Sequence, residues 1–470
     1  MAAAREQPAA PSQHAFSFLR PRAREGLVVA SRRATLKAGL AGLAGLSVAD
    51  LLRRRADAAT NGRTLDDRRA VILLWMAGGP SHIDTWDPKP DAPREIRGPF
   101  ATIPTRLPGI RLSEYYPKQA AMLDRLTIIR SVDCRGSNHQ PNTVMQTGNR
   151  DAEPRVNPRG DLYPAIGSIS AARRGASARG MPPYVALNVR DRTHFAWAGY
   201  LGKQHDPFVG DDVGRLLVPA PGSSLARIET RCKLRESLDR LRRDVDASGA
   251  MDALDRFEAQ AVELVAGGRA RRAFDLADES PRTVERYGAH DWCEKALLAR
   301  RLVEAGARFV TLDLSNHSAS GTWDTHGDNI PPYGGIWNGL RPLLPIFDHL
   351  FTTLVDDLAE RGLIDDVLVI AMGEFGRSPR LGTQESTDGR DHWPIVMSLA
   401  LAGGRLRHGQ VIGASDRHGG SISERPVTPA DLAATIYHHL GVPLDATYTD
   451  FRGRPRAIVE AGGAPLAELG

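Results

Sequence analysis

Acidic and histidine side chains lie at the ends of apolar runs in the second half of the sequence. They are Asp324 and His326, then Glu374, then Asp391 and His392. Carboxylates and imidazoles are the ligands that proteins offer to divalent metals such as zinc and manganese. A metal held by such ligands lowers the pKa of bound water and stabilises developing negative charge. We therefore interpret the chain first as a candidate metal-dependent hydrolase.

A further pair of such residues follows the first apolar run, Arg69–Met76. His82 and Asp84 are two residues apart, so in an extended segment their side chains share one side. We expect at least one of them to contact a metal or a substrate. The alternative is an ordinary turn in which Asp84 or Asp87 caps a backbone amide.

The later pairs have plain structural alternatives as well. Asp324 can cap a helix beside an exposed His326, and Asp391–His392 can be an exposed loop pair. Glu374 follows a buried strand, where an unpaired carboxylate is costly, so it should meet a metal or Arg377. Arg377 can instead hold an anionic substrate, because its planar guanidinium suits phosphate or sulfate.

The elements that must position these residues alternate between strand and helix. Val367–Met372 is an uninterrupted apolar run, which predicts a strand buried on both faces and hence parallel to its neighbours. Further strands are predicted at Arg69–Met76, Leu126–Val132, Arg308–Leu314 and Val396–Leu401, and helices at His290–Ala305, Trp337–Arg361 and Thr428–Leu440. This alternation predicts a doubly wound α/β fold with a mostly parallel sheet and helices on both faces. Such sheets bind ligands beyond the carboxyl ends of their strands.

Residues 61–470 are expected to form one α/β domain. A helical pattern begins at Ser224, so about 224–306 is interpreted as a helical insertion or a cap on the sheet. Residues 150–222 mix Pro, Gly and Arg with short apolar pieces and are interpreted as irregular. Cys134, Cys232 and Cys293 allow one disulfide at most, and they show no zinc-site spacing.

The first 60 residues are interpreted as a twin-arginine signal segment. Ser31–Lys37 contains Arg32-Arg33, Ala38–Leu52 is a short, weakly apolar run, and Ala56–Ala58 offers a small-residue cleavage site. Fifteen residues are too few to span a bilayer of about 30 Å as a stable helix. We therefore expect the twin-arginine export machinery as a partner and a periplasmic or extracellular location.

Charge separates this segment from the remainder of the chain. Of 61 Lys/Arg and 56 Asp/Glu, ten and four lie in residues 1–60, which leaves 51 basic and 52 acidic side chains beyond it. The net charge of +5 is thus a property of the leader, and no nucleic-acid partner is indicated. No later apolar run reaches 18 residues, so no membrane span is expected in the mature chain.

Six motifs are spread along residues 69–460: Gly79–Pro90, Leu298–Gly306, Met372–Arg380, Gly389–Pro394, Gly409–Asp416 and Arg425–Pro429. They resemble the motifs of the DUF1501 family of exported, sulfatase-like bacterial proteins. The resemblance implies the fold of the alkaline phosphatase-like superfamily, whose members hydrolyse phosphate or sulfate esters at one or two metals.

Carried over position by position, the resemblance implies where the metal ligands lie. Asp84 takes the place of a metal-binding aspartate after the first strand, although it lies later in the loop than usual. Asp324-x-His326 is a tighter form of an Asp-x-x-x-His zinc motif. Glu374-Phe375 replaces an Asp-His pair, so one histidine ligand is missing, and His392 matches a single downstream histidine.

The nucleophile is where the sequence departs from this pattern. Thr147–Arg150 resembles the Thr-Gly-Arg that follows a sulfatase nucleophile, and counting back reaches Asn138-His139, where the resemblance implies Cys, Ser or Thr. Cys134 lacks the sequence required for formylglycine maturation. Either Ser137 serves, or a metal-bound water attacks, or catalysis has been lost. His139 is then a candidate ligand or acid–base group.

Two functions of different classes follow. The first is an exported hydrolase of anionic phosphate or sulfate esters with one or two divalent ions: Zn, Mn, Ca or Mg. Its candidate metal ligands are Asp84, His82, Asp324, His326, Glu374, Asp391 and His392; its substrate-binding candidates are Arg377 and Arg390; its catalytic candidates are His139, Ser137 and Arg377. The second is a non-catalytic periplasmic or cell-surface binding protein on a degenerate scaffold, which the missing nucleophile and Phe375 favour.

Overall fold

The computed structural model describes residues 67–139, 142–211 and 268–470. The chain divides into two units, Met1–Asp67 and Arg68–Gly470, and the second contains all of the elements given below. The expected twin-arginine segment and the helical pattern at 224–267 lie outside the described residues. Within those residues, no helix is both long enough and apolar enough to cross a membrane.

The strands of the described residues are β1 Ala70–Trp75, β2 Thr102–Pro104, β3 Arg111–Ser113, β4 Leu126–Val132, β5 Tyr184–Leu187, β6 Phe208–Val209, β7 Phe309–Asp313, β8 Val367–Met372, β9 Gly376–Arg377, β10 His392–Trp393, β11 Met397–Gly403, β12 Gln410–Ile412, β13 Ala414–Ser415, β14 Ile422–Glu424, β15 Thr447–Thr449 and β16 Pro455–Ala457. Eight of these strands form the central sheet, in the spatial order β12-β4-β11-β8-β1-β7-β5-β6. Seven of the eight run parallel to one another, and β11 is antiparallel to both of its neighbours.

Long helices of the described residues pack on both faces of this sheet, and shorter helices lie in the connecting segments. They are α1 Arg94–Arg97, α2 Pro117–Ala121, α3 Val144–Thr147, α4 Ile166–Arg174, α5 Arg269–Phe274, α6 Pro281–Tyr287, α7 Asp291–Ala305, α8 Leu343–Glu360 and α9 Pro429–Leu440. A π-helical turn, Gly335–Leu340, precedes α8. Helix α9 begins with a capping box between Thr428 and Asp431, as its sequence predicts.

Strand β1 shows how the sheet divides two hydrophobic cores. Its side chains alternate between them, with Ile72 in the core that contains α7 and α8, and Leu73 in the core that contains α4 and α9. All six residues of β1 and all six of β8 are buried. Burial on both faces explains their continuous apolar sequences, and the expected α/β fold with a mostly parallel sheet is confirmed.

Three sequence expectations need correction. Strand β8 is buried on both faces as predicted, but it is parallel only to β1 and pairs antiparallel with β11. The helix predicted from Trp337 is interrupted before Leu343, because Pro342 has no N–H to continue it. The region predicted to be irregular contains the helix Ile166–Arg174, whose apolar residues are too few to show a clear period.

The topology collects four connecting segments at one edge of the sheet. The segments after β1, β4, β7 and β8 leave from the carboxyl ends of parallel strands, so they emerge on the same side. Because β11 is antiparallel to β8, the segment after β8 returns to β11 at that same edge. Each candidate site residue is in one of these four segments.

Candidate metal centre

Four side chains at this edge offer ligand atoms that all lie within 4.8 Å of one another: His139, Asp324, His326 and His392. His139 follows β4, Asp324 and His326 follow β7, and His392 precedes β11. His139 and Asp324 are buried, and the other two histidines are partly buried. Three imidazoles and one carboxylate from three separate segments therefore converge on one point.

Close packing of two backbones fixes Asp324. The Trp323 N–H donates to the Ala77 carbonyl at 3.0 Å, which joins this segment to the loop after β1. Gly78 in that loop has φ +115°, and a Cβ there would lie 2.3 Å from the Asp324 nitrogen. Only glycine permits this approach, so Gly78 is part of what positions the carboxylate.

Glu374 orients His139. One carboxylate oxygen of Glu374, Oε1, lies 2.7 Å from His139 Nδ1 and also accepts the Gly78 N–H at 2.9 Å. His139 Nε2 lies 3.2 Å from Asp324 Oδ2, so the ring stands between two carboxylates. Burial alone would lower the pKa of His139, but its hydrogen bonds to Asp324 and Glu374 raise it. If a metal took Nε2, the Glu374 contact would keep the remaining proton on Nδ1. Glu374 does not belong to the group of four and supports one of its members instead.

Arg377 forms a buried ion pair with Asp324 and neutralises its charge. Its Nη2 lies 2.9 Å from Asp324 Oδ1, and the backbone N–H of His326 donates to the same oxygen at 3.1 Å. Burial alone would raise the pKa of Asp324, but the charges of Arg377 and His139 hold it well below its usual range. The carboxylate is therefore ionised, with Oδ1 occupied and Oδ2 directed toward His139.

The rings of His326 and His392 face each other through the same atom, Nε2. His326 Nε2 and His392 Nε2 are 2.6 Å apart, where two lone pairs repel unless a proton or a cation lies between them. Burial, together with the neighbouring charges of His139 and Arg377, lowers the pKa of His392 to about 2. The ring is therefore neutral at physiological pH, which is the form that binds metals.

The residues fit a divalent metal. Among the described residues, buried side-chain atoms without a hydrogen-bond partner include His139 Nε2, Asp324 Oδ2 and Glu374 Oε2. An unsatisfied buried polar atom costs about 1–3 kcal/mol, so several at one point call for a ligand. Three nitrogens and one carboxylate oxygen match the donor set of zinc and related transition metals.

Asp84 lies apart from this group, in a buried ion pair. Its Oδ2 accepts from Arg390 Nε at 2.7 Å and from Ser81 Oγ at 2.5 Å, and its Oδ1 faces Arg390 Nη2 at 3.3 Å. Arg390 also donates to the backbone carbonyls of Ile96, Ser378 and Pro379. Arg390 has no N–H left for a substrate oxygen, so it joins the loop after β1 to the segment that carries His392.

Arg377 is engaged in the same way. Besides Asp324, its guanidinium donates to the carbonyls of Gly78, Gly79 and Arg390, and the side chain is fully buried. Its donors are directed into the protein, which differs from the expectation that Arg377 holds the anion.

The remaining predicted site residues contribute in other ways. His82 is buried, with Nε2 2.8 Å from the Gly419 carbonyl, and burial lowers its pKa, so it is a neutral tether between loops. Asp391 is half exposed and lies 3.7 Å from His326 Nδ1. Ser137 Oγ is buried without a hydrogen-bond partner.

The sequence left the role of His139 open, because the spacing of histidines along a chain does not show which loops meet.

The sequence also gave no sign of the aromatic surroundings of the four candidate ligands. The Phe375 ring lies 4.8 Å from the His139 ring and 4.7 Å from the His392 ring, measured between centroids. Phe375 thus packs beneath two of the four converging side chains.

Comparisons with known proteins place the chain in a family. A family model described as "Protein of unknown function (DUF1501)" matches residues 68–469, so the chain belongs to that family, as its motifs predict. No curated protein sequence matches the chain.

Three solved structures are similar to this one at low identity. The PsFucS1 sulfatase from Pseudoalteromonas sp. is 12% identical, with a TM-score of 0.35 over 83% of this chain and 70% of that chain. The C-terminal periplasmic domain of EcEptC from Escherichia coli, in complex with Zn, is 11% identical, with a TM-score of 0.34 over 84% and 87%. The phosphonate monoester hydrolase SpPMH from Silicibacter pomeroyi is 10% identical, with a TM-score of 0.36 over 81% and 75%.

Proposed function

We propose that this DUF1501 protein is an exported, metal-dependent hydrolase of sulfate or phosphate esters. The observation that supports this proposal is the convergence of His139, Asp324, His326 and His392 at the carboxyl edge of a parallel sheet. Open α/β sheets bind their ligands at this edge. The buried, unpartnered atoms of the group support the proposal, because buried polar atoms usually have a hydrogen-bond partner or a bound ligand.

The donor set narrows the choice of metal and the number of ions. Calcium and magnesium prefer oxygen ligands, whereas three imidazoles and one carboxylate suit zinc or manganese. Among the described residues one group of four is present, and Asp84, the other candidate carboxylate, already has Arg390 as its counter-ion. We therefore propose one resident zinc or manganese ion rather than two.

When bound, such an ion supplies Lewis acidity and an activated water. The protein residues supply the rest of the arrangement. With a metal bound, Glu374 would keep the proton of His139 on Nδ1 and so direct Nε2 to the ion, and Arg377 keeps Asp324 ionised and aligned. Ser137 Oγ contacts no base among the described residues that would remove its proton. We therefore propose water, and not Ser137, as the source of the attacking oxygen.

The second candidate is a non-catalytic protein that binds an anionic ligand at the metal. The donors of Arg390 are used within the protein, and those of Arg377 point into it, so neither guanidinium is available to hold a transferred anion. This observation favours recognition by the metal alone, which is sufficient for binding. The two candidates share the metal and differ only in turnover.

The deciding experiment measures metal content and turnover in the same preparation. Equilibrium dialysis of the full chain against Zn²⁺ should give one ion per chain, and His326→Ala should bind none. His438→Ala, an exposed histidine on α9, is the matched control and should bind as the wild type does. Aryl sulfates and aryl phosphates then test turnover of the loaded protein.

Each outcome of that experiment decides between the candidates. One zinc with turnover that His326→Ala abolishes supports the hydrolase. One zinc without turnover of any aryl ester favours the binding protein. Absence of both bound zinc and bound manganese in the wild type, each tested by dialysis, contradicts both candidates, because both require the metal.

Export by the twin-arginine route is a separate part of the proposal. It rests on Arg32-Arg33 ahead of a short apolar run in residues 1–60. Fusion of these residues to a folded reporter should export it, and the double change Arg32→Lys, Arg33→Lys should retain it in the cytoplasm. Unchanged export of the double variant would contradict the route.

A further inference from the structure

We propose that His194 is a positioning residue, which holds the segment Ser315–Gly321, and through it Asp324, by donating hydrogen bonds from both ring nitrogens. The inference rests on the proposed metal centre, because Asp324 is one of its four members. The ring nitrogens of His194 contact Asp313 and Ala319, and neither of these residues is one of the four candidate ligands. It acts through the loop that connects β7 to Asp324.

The contacts of His194 determine its protonation. His194 is fully buried in a short turn, Arg192–His194, with Nδ1 2.8 Å from Asp313 Oδ2 and Nε2 2.7 Å from the Ala319 carbonyl. A carbonyl only accepts hydrogen bonds, and so does an ionised carboxylate. Burial raises the pKa of Asp313, and its hydrogen bonds with His194 and Ser315 oppose that rise. With Asp313 ionised, both ring nitrogens carry a proton, and the ring is an imidazolium paired with Asp313.

The electrostatic surroundings agree with this geometry. Burial alone would lower the pKa of His194, but the hydrogen bond and the charge of Asp313 raise it to about 9. The Glu374 carboxylate acts in the same direction from the loop after β8. The other titratable groups in electrostatic range are Asp191 and His317, whose pKa values His194 lowers. The cation thus persists through the physiological range.

The tethered segment needs such a restraint. Its sequence, Ser-Asn-His-Ser-Ala-Ser-Gly, offers only one apolar side chain, so hydrophobic burial cannot fix its path. The Asn188 side chain holds the beginning, donating to the carbonyls of Asp313 and Ser315 at 2.6 and 2.8 Å. His194 holds the middle through the Ala319 carbonyl.

The far end of the segment is adjacent to the ligand. A Cβ on Gly321 would lie 2.1 Å from the Ala77 carbonyl, so the two backbones are in direct contact there. The Asp324 N–H donates to the Gly321 carbonyl at 3.3 Å. Only four residues, Ser320–Trp323, separate Ala319 from Asp324, so a shift at Ala319 is passed to the ligand along a short, closely packed stretch of chain.

The test compares His194→Asn with a matched control, His439→Asn. His439 is also buried, with its ring nitrogens 2.9 and 3.2 Å from the carbonyls of Ala70 and Gly404. It lies at the opposite edge of the sheet, where β1 begins. Both variants lose a buried histidine, but only one of them loses the restraint on Asp324.

The principal measurement is amide hydrogen exchange in the metal-free protein. Exchange at Trp323 and Asp324 should be about 10- to 100-fold faster in His194→Asn, as expected for loss of a hydrogen bond to a charged group. The control should leave these two amides unchanged. Equal acceleration in both variants would reduce His194 to a general stability residue and overturn the proposal.

Two further measurements keep the inference separate from the proposed function. Nitrogen-15 NMR of the wild type at pH 7 should show both ring N–H groups of the buried His194, and a single N–H would overturn the proposal even if the variant fails to fold. Zinc affinity should fall in His194→Asn and not in His439→Asn. If the wild type binds neither zinc nor manganese, the proposed function fails, while the exchange and NMR results still decide the role of His194.

Discussion

Two clusters of buried charge show opposite ways to place ionic groups inside this protein. On the helical face, Arg300 contacts Glu279 at 2.5 Å and Asp357 at 2.8 Å, and Arg361 contacts the remaining oxygen of each carboxylate. Both oxygens of Glu279 and of Asp357 are thus paired. At the metal centre, by contrast, Asp324 and Glu374 each keep one buried oxygen without a hydrogen-bond partner.

This difference separates a structural network from a binding site. A buried ion pair is stable only when additional hydrogen bonds satisfy its remaining atoms, and the helical network meets that condition. The candidate metal centre does not, because Asp324 and Glu374 each retain an unpaired oxygen. Unpaired polar atoms beside a cluster of converging ligand atoms indicate a candidate cation site, whereas buried charge by itself does not.

The largest expected effect comes from removing one carboxylate charge in each cluster. Asp324→Asn should lower the free energy of unfolding by about 3–5 kcal/mol, because it leaves the buried Arg377 without a carboxylate partner. Asp357→Asn should lower it by about 1.5–3 kcal/mol, because Arg300 keeps its contact with Glu279. Only Asp324→Asn should also abolish the response of stability to zinc. Urea denaturation with and without zinc measures both quantities, and a retained zinc response in Asp324→Asn would break the comparison.

Zinc itself should stabilise the wild type by about 2.7 kcal/mol at a free concentration 100-fold above its Kd. His392→Ala should show none of this increase, because it removes one of the four ligands. Glu304→Gln, which changes an exposed member of the helical network, should keep all of it. Thermal denaturation across a zinc titration provides the measurement, and a shift of Tm in His392→Ala would argue against the assigned ligand set.

A smaller effect is expected where a carboxylate orients a ligand without binding the metal. Glu374→Gln should weaken zinc binding by about 10- to 100-fold, because the amide no longer enforces the His139 tautomer. Isothermal titration should show one site with reduced affinity and unchanged stoichiometry. Complete loss of the site would instead make Glu374 a direct ligand.

The smallest effect concerns the helical network at acidic pH. Burial alone would raise the pKa of Glu279, but Arg300 and Arg301 lower it to about 2. The stability that ionised Glu279 contributes is therefore fully present above the pKa of this residue in the unfolded chain, and it is lost as the pH falls through about 2. Glu279→Gln should reduce the free energy of unfolding by about 1–2 kcal/mol at pH 7. Urea denaturation at a series of acidic pH values should show a smaller loss of stability in the variant than in the wild type. If the variant loses stability at acidic pH as the wild type does, a group other than Glu279 causes that loss.

Local sequence predicted the elements of the fold but not every boundary. Strands such as Val367–Met372 and the capping box at Thr428 match their sequences, because burial on two faces and a helix start each leave a local signature. The direction of β11 was not predictable in this way. An apolar strand has the same pattern whether its neighbours run parallel or antiparallel.

The candidate site was predicted in part, for a similar reason. The sequence placed Asp324, His326 and His392 at strand ends, and topology alone accounts for their meeting. It also grouped Asp84, Glu374 and Arg390 with them. Proximity along the sheet edge does not show that Arg390 takes both oxygens of Asp84, or that Glu374 faces a histidine.

The sequence by itself determined the α/β architecture, the family and the side-chain types available for metal binding, because periodicity, caps and motifs are local properties of the chain. Only the tertiary structure decided which carboxylates are neutralised by arginine and which keep a free oxygen. That decision depends on contacts between residues far apart in sequence, such as Asp84 with Arg390 and His139 with Glu374. The chemistry of a buried carboxylate is set by its partners, and those partners exist only in the folded chain.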